Sequence, residues 1–185
     1  MARKLRRTLP GDRVSESIDS MIRVDHAGEY GAKRIYEGQL AVLGRDQKFK
    51  KLIEHMAAQE QVHLDFFEKE IAVRQVRPTA LYPLWHVTGY ALGAVTAKMG
   101  AEAAMACTVA VEEVISEHYA DQLKTLKKNP REKKLYAAIK KFKAEEEEHH
   151  AIGLQHDAEQ ASGYPLLIKA IKAGARLAIA VAKRV

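Results

Sequence analysis

An all-α fold is what this 185-residue sequence predicts, and three observations carry the prediction. Apolar residues recur at steps of three and four along most of the chain, the period of helices with one buried face. Only five prolines interrupt long stretches rich in Ala, Lys and Glu, residues that cost a helix little. No strand is predicted anywhere. The length suits one well-buried core rather than two, so residues 1–185 are read as a single domain.

Six helices are expected. The first, 15–44, aligns Ile18, Ile22, Asp25, Glu29, Ala32, Tyr36 and Leu43 on one face and stops at Gly44-Arg45-Asp46. The second, 48–75, aligns Leu52, Met56, Glu60, His63, Phe67 and Ile71 and ends before Arg77-Pro78. The third, 81–98, falls in the uncharged run from Pro78 to Ala97 and is cut off at Gly100. That run has about the length of a membrane span, but Pro83, His86, Gly89 and Gly93 argue against a simple one. The fourth, 101–128, aligns Met105, Thr108, Glu112, Ile115 and Tyr119 and stops at Asn129-Pro130. The fifth, 131–160, aligns Leu135, Ile139, Phe142, Glu146, His149, Gly153 and His156, and Gly163-Tyr164-Pro165 separates it from the sixth, 164–184. Each break works through glycine's permissive dihedrals or proline's missing donor. The basic stretch MARKLRRTLP opens the chain without the apolar segment of a secretory signal, although an organelle-targeting segment stays open, and 1–14 are expected to lack fixed structure.

Acids and imidazoles on apolar stripes need a reason. Glu60-x-x-His63 and Glu146-x-x-His149 each place an acid and an imidazole on an otherwise apolar face. The alternative pair Glu147-x-x-His150 would turn Lys140 and Lys143 inward with it, and burying unpaired ammonium groups is costly. Glu29 and Glu112 lie on the stripes of the first and fourth helices, 31 residues before Glu60 and 34 before Glu146. Two helix-turn-helix halves produce that spacing. Four carboxylates at the centre of a bundle repel unless cations neutralise them or their pKa values rise sharply. One glutamate from each of two helices, with Glu-x-x-His from each of the other two, is the donor set of di-iron and di-manganese carboxylate bundles. Zinc is disfavoured, since its structural sites take four Cys or His ligands.

A single cysteine, Cys107, excludes an internal disulfide framework and a Cys-based cluster within one chain; it is read as a packing residue. The net charge of +6 is compatible with nucleic acid, anionic lipid or an acidic partner, so its placement decides.

Four stretches resemble the demethoxyubiquinone hydroxylases of ubiquinone biosynthesis: IRVDHAGEYGAKRIYEGQLAVLGR (22–45), VRPTALYPLWHVTGYALGA (76–94), GAEAAMACTVAVEEVISEHY (100–119) and EEEEHHAIGLQHDAE (145–159). Together they run through most of the chain after residue 20. The resemblance implies a ferritin-like four-helix bundle with two additional membrane-interacting helices, and a di-iron centre of two iron ions held by Glu29, Glu60, His63, Glu112, Glu146 and His149. It implies an O2-dependent monooxygenase that hydroxylates the ring of demethoxyubiquinol or demethoxyubiquinone. No glycine-rich dinucleotide fingerprint accompanies a strand, so reducing equivalents are expected from NADH at a different kind of surface or from the quinol itself. Asp25 is placed to orient a ligand histidine by accepting its free N–H. His118 and Tyr119 are placed to relay protons or electrons, with a buried, hydrogen-bonded tyrosine as the plainer reading. His156 is read as a capped core histidine.

A polyprenylated quinone must be reached from a bilayer. Lys169, Lys172, Arg176 and Lys183 recur along one side of the sixth helix, an interfacial pattern suited to anionic headgroups. The run from Pro78 to Ala97, with Tyr82, Trp85 and Tyr90, would form the mouth of an apolar channel. The expected location is peripheral, at the cytoplasmic face of a bacterial inner membrane or the matrix face of the mitochondrial inner membrane. A homodimer, or a lipid-presenting partner of the same pathway, would cover the apolar surface; nucleic acid is not expected. Two other functions fit a bundle of this kind: a ferritin-like iron-storage or ferroxidase protein, and a non-catalytic membrane-interaction protein with structural carboxylates.

Overall fold

The computed structural model describes residues 18–184, so the expectations for 1–14 and for a helix start at 15 lie outside the described residues. Among those described, the chain forms α1 (Ile18–Leu43), α2 (Gln47–Arg74), α3 (Tyr82–Met99), α4 (Ala101–Leu126), α5 (Lys133–Gln155) and α6 (Tyr164–Ala182). The Asp46 side chain caps α2, accepting from the backbone N–H of Lys48 at 2.8 Å and of Phe49 at 3.4 Å, an arrangement that contributes about 1 kcal/mol. Gly100, at φ +134°, turns the chain from α3 into α4 in one residue. Pro165 lies in the first turn of α6, where its missing donor costs nothing.

The fifth helix is shorter than expected. It ends at Gln155, and Ala158–Gln160 form a separate short 3-10 turn. Asp157 at φ 60° enters the left-handed region that aspartate tolerates, which ends the helical ladder. His156 therefore caps the helix end rather than filling the core: its Nδ1 lies 2.9 Å from the Ile152 carbonyl, and its ring meets the edge of Phe49.

α1 with α2, and α4 with α5, form two hairpins whose inner faces meet. One apolar cluster draws on all six helices, including Ile22, Phe67, Ala97, Met105, Ile139 and Ile171. α3 lies along α1 and α6 along α4. The α1–α3 contact is backbone on backbone: a Cβ on Gly93 would sit 2.0 Å from the Ile35 carbonyl oxygen, and one on Gly38 would sit 2.2 Å from that of Tyr90. The opposite side of α3 leaves Leu84, Val87, Val95 and Met99 exposed. No helix among the described residues is long and apolar enough to cross a membrane.

Candidate metal centre

Glu29, Glu60, His63, Glu112, Glu146 and His149 all come together at the middle of the two hairpins, none of them more than 1% exposed. Glu147 points outward to Lys143, and His150 lies partly exposed beside Glu113. The lysine argument therefore selects the register that the fold uses.

Donor atoms fall into two overlapping groups, Glu29–Glu60–His63–Glu146 and Glu60–Glu112–Glu146–His149, each within 4.8 Å. His63 Nδ1 lies 3.2 Å from Glu29 and 3.1 Å from Glu146. His149 Nδ1 lies 3.2 Å from Glu60 and 3.3 Å from Glu146. Glu60 and Glu146 belong to both groups and so lie at the centre of the cluster, with Glu29 and His63 on one side and Glu112 and His149 on the other. Both oxygens of Glu60 and of Glu146, Glu112 Oε2 and His149 Nδ1 are buried without a hydrogen bond. Buried acceptors that make no hydrogen bond are costly unless something else is bound to them, and divalent cations fit this oxygen-rich donor set.

Electrostatics point the same way. Burial, together with the charges of Glu146 and Glu29, pushes the Glu60 carboxyl well above the usual range, and burial with the charge of Glu146 does the same to Glu112. Burial would raise Glu146 too, but the imidazoles of His149 and His63 beside it hold it at about 2. Burial would lower His63, yet Glu29 and Glu146 raise it to about 11. The cluster shares protons in place of cation charge.

Two buried tyrosines cross between the hairpins. Tyr36 of α1 donates to Glu112 at 2.5 Å, and Tyr119 of α4 donates to Glu29. Burial and the neighbouring carboxylates raise both phenols well above their ordinary value, so both remain donors. The two are related: each lies seven residues after the lone glutamate of its own helix. Gln39 and Gln122, ten residues after the same glutamates, also correspond. Gln39 reaches Thr108 at 3.4 Å and the Ala104 carbonyl at 3.1 Å, and Gln122 donates to Asp25 at 2.6 Å.

Asp25 is placed differently from the expectation. It accepts from Gln122 and lies 3.5 Å from His118 Nε2, not beside His63 or His149. Burial raises its carboxyl, with His118 opposing. His63 and His149 are oriented by Glu145 and Gln59 instead. His63 Nε2 donates to Glu145 at 3.0 Å, and His149 Nε2 donates to Gln59 at 2.8 Å. Burial would raise Glu145, but His63 and Lys141 hold it low. Glu145 and Gln59 each stand immediately before the glutamate of a Glu-x-x-His motif, and that shared offset was the available sequence signal.

A cavity of about 570 Å³ adjoins the cluster, enclosed by α1, α3, α4 and α6. Gly28 and Val111, which line it, precede Glu29 and Glu112. Thr88 and Val95 of α3 and Gly174 of α6 line it while remaining exposed or half-exposed, which places its mouth between α3 and α6. The cations of α6 are less free than their periodicity suggested. Lys172 pairs with Glu113 at 2.5 Å and Arg176 with Glu117 at 3.1 Å, both on α4, whereas Lys169 is exposed.

The sequence pattern of the family described as ubiquinone biosynthesis protein COQ7 matches residues 16–182. A 3-demethoxyubiquinol 3-hydroxylase of Rhodospirillum rubrum is 54% identical over 178 residues, covering 96% of this chain and 83% of the relative. The human NADPH-dependent 3-demethoxyubiquinone 3-hydroxylase, mitochondrial, is 53% identical over 176 residues, with 94% and 81% covered. The Saccharomyces cerevisiae 5-demethoxyubiquinone hydroxylase, mitochondrial, is 40% identical over 188 residues, again covering 94% and 81%.

Proposed function

The chain belongs to the ubiquinone biosynthesis protein COQ7 family, and from that premise we propose that it is a single-domain di-iron monooxygenase that hydroxylates the ring of demethoxyubiquinol or demethoxyubiquinone. One observation carries the reading: two groups of buried donors share Glu60 and Glu146 and lie against an apolar cavity with its mouth at the surface. Glu29 and His63 would hold one iron and Glu112 and His149 the other, with Glu60 and Glu146 shared between the two. Bound there, two iron ions supply the O2-activating redox chemistry that the protein's own side chains lack. One oxygen atom of O2 enters the ring and the other leaves as water, so each turnover needs two electrons from outside. The human relative is NADPH-dependent by name, which favours a reduced nicotinamide, NADPH or NADH, over the quinol as the source.

The chain's own residues position, exclude and relay. Tyr119 and Tyr36 hold Glu29 and Glu112 by hydrogen bonds. His118, partly exposed and beside Asp25 and Gln122, provides a polar route from the surface toward the Glu29 side. The cavity receives the isoprenoid substrate, and its apolar walls keep water from the ring. A storage protein has no use for such a cavity.

The exposed apolar residues of α3, with Leu166 and Leu177 of α6 and the cation Lys169, favour peripheral attachment to a membrane around the mouth. That membrane is the bacterial inner membrane at its cytoplasmic face or, as the names of the mitochondrial relatives favour, the mitochondrial inner membrane at its matrix face. A second copy of the chain or a lipid-presenting partner covers what the bilayer leaves exposed.

The test begins with metal content after iron reconstitution, followed by anaerobic reduction and exposure to O2 with a short-chain demethoxyquinol. Two irons per chain and an oxygenated quinone are expected. Two irons without oxygenated product would point to storage or ferroxidase chemistry, and no bound metal would overturn the centre itself.

A further inference from the structure

The polar residues around the six candidate ligands obey an internal twofold relation. Glu29 corresponds to Glu112, Tyr36 to Tyr119, Gln39 to Gln122, Glu60 to Glu146 and His63 to His149, and each tyrosine donates to the lone glutamate of the opposite hairpin, while Gln39 reaches Thr108 and the Ala104 carbonyl where Gln122 reaches Asp25. The residue before each bridging glutamate also corresponds, and each reaches the histidine of the other motif. Here the chemistry differs. His63 Nε2 donates to a carboxylate, Glu145 Oε2 at 3.0 Å, and Lys141 fastens that carboxylate at 3.3 Å. His149 Nε2 donates to an uncharged amide, Gln59 Oε1 at 2.8 Å.

A carboxylate acceptor draws the Nε2 proton more strongly than an amide does. It leaves more electron density at the opposite nitrogen, the one turned toward the metal, and adds a negative charge to that half of the site. From the different acceptors on His63 and His149 we infer that the two metal positions are unequal: the one flanked by Glu29 and His63 binds its ion more tightly and fills first, with Glu145 and Gln59 as the positioning residues that set the order. The inference rests on the di-iron reading above. It adds an order of loading to that reading and a means of holding one ion while the other exchanges.

The exchange of one amide for one carboxylate tests it with almost no change in shape. Metal-free full-length protein is titrated anaerobically with cobalt(II) and followed by calorimetry and by visible absorption of the bound ion. Wild-type protein is expected to bind in two resolved steps. E145Q weakens the first step by about 10- to 100-fold, the usual effect of removing such a partner, and draws the two steps together. Q59E draws them together from the other side by tightening the second. The exchanged pair E145Q/Q59E restores two separated steps, which a merely structural role for either residue would not do. Equal steps in the wild type, or an E145Q variant that weakens both steps alike or neither, overturn the inference while leaving the di-iron reading intact. Absence of cobalt binding in the wild type overturns both. Should E145Q fail to fold, Q59E alone decides: an unchanged separation of steps refutes the proposal.

Discussion

The α1–α2 hairpin and the α4–α5 hairpin have the same plan and different surroundings. Both offer a lone glutamate, a tyrosine seven residues later and a Glu-x-x-His motif, and both bury these groups almost completely. Around Glu29 and His63 stand two further acids, Asp25 and Glu145, with His118 beside Asp25. Around Glu112 and His149 the corresponding positions are Thr108 and Gln59. The difference teaches that the identity of the inward donors and their surroundings are separable: the donors keep the twofold relation, and the supports break it.

The largest test of the shared plan is to remove what both halves use. Glu60→Ala or Glu146→Ala should release both metal ions and abolish turnover, whereas Glu29→Ala or Glu112→Ala should leave one ion bound with turnover equally lost. Metal analysis and a hydroxylation assay on the same samples distinguish the two cases, and two ions retained in Glu60→Ala would refute the bridging role. Glu29→Ala or His149→Ala with full activity would refute the ligand set.

Metal-free protein offers the next test, through pH. The raised carboxyls of Glu60 and Glu112 keep protons in the folded state that the unfolded chain gives up above the ordinary value of 4.5, so stability falls as pH rises from there. His63, raised from 6.5 to about 11, contributes stability below 6.5 that is lost as pH rises toward 11. Glu146, lowered to about 2, loses its contribution only as pH falls below 4.5. Between about pH 5 and 8 the first three groups act in one direction, and the thermal midpoint of the metal-free protein should drop. Metal-loaded protein should drop less, because its carboxylates and imidazoles are already deprotonated onto the ions. Equal slopes for the two forms in scanning calorimetry would show that these side chains do not hold the metal.

Tyr36→Phe and Tyr119→Phe sharpen the comparison further. Each removes a hydrogen bond to an acid of the opposite hairpin, and each should cost about 1.5–3 kcal/mol in denaturant unfolding. Similar losses would show that the tyrosine supports remain symmetric, while a gap of more than about 1.4 kcal/mol would extend the asymmetry to them. The smallest effect belongs to α6. Arg176→Ala loses only a solvent-facing pair with Glu117 and should change stability by less than about 1 kcal/mol.

What could be read from the sequence follows from periodicity. The six inward donors were legible because an acid on an apolar helical stripe stands out, and the choice of Glu146 over Glu147 followed from where Lys140 and Lys143 would otherwise point. The partners of the histidines were not legible in the same way. Gln59 and Glu145 reach across to the opposite motif, and their shared place immediately before each glutamate marks them as a pair without recording the contact between two helices. Asp25 misled for the same reason: one turn before Glu29 on the right face, it faces His118 and Gln122 of α4. The end of α5 lay hidden in a backbone choice at Asp157, and the cations of α6 looked free because their α4 partners, Glu113 and Glu117, lie far away in sequence.

The glycine notches between α1 and α3 have a mechanical corollary. At Gly38 and Gly93 the two helices approach so closely that a Cβ at either position would meet a carbonyl oxygen of the other helix, so neither glycine can be replaced without parting them. The α3 side of the cavity mouth is therefore seated directly on the helix that carries Glu29. The α6 side is joined to α4 through side chains, the Lys172 and Arg176 arms and the buried Ile168 and Ile171. A single methyl group added at Gly38 or Gly93 would therefore displace one wall of the cavity relative to Glu29 without touching any residue of the candidate centre.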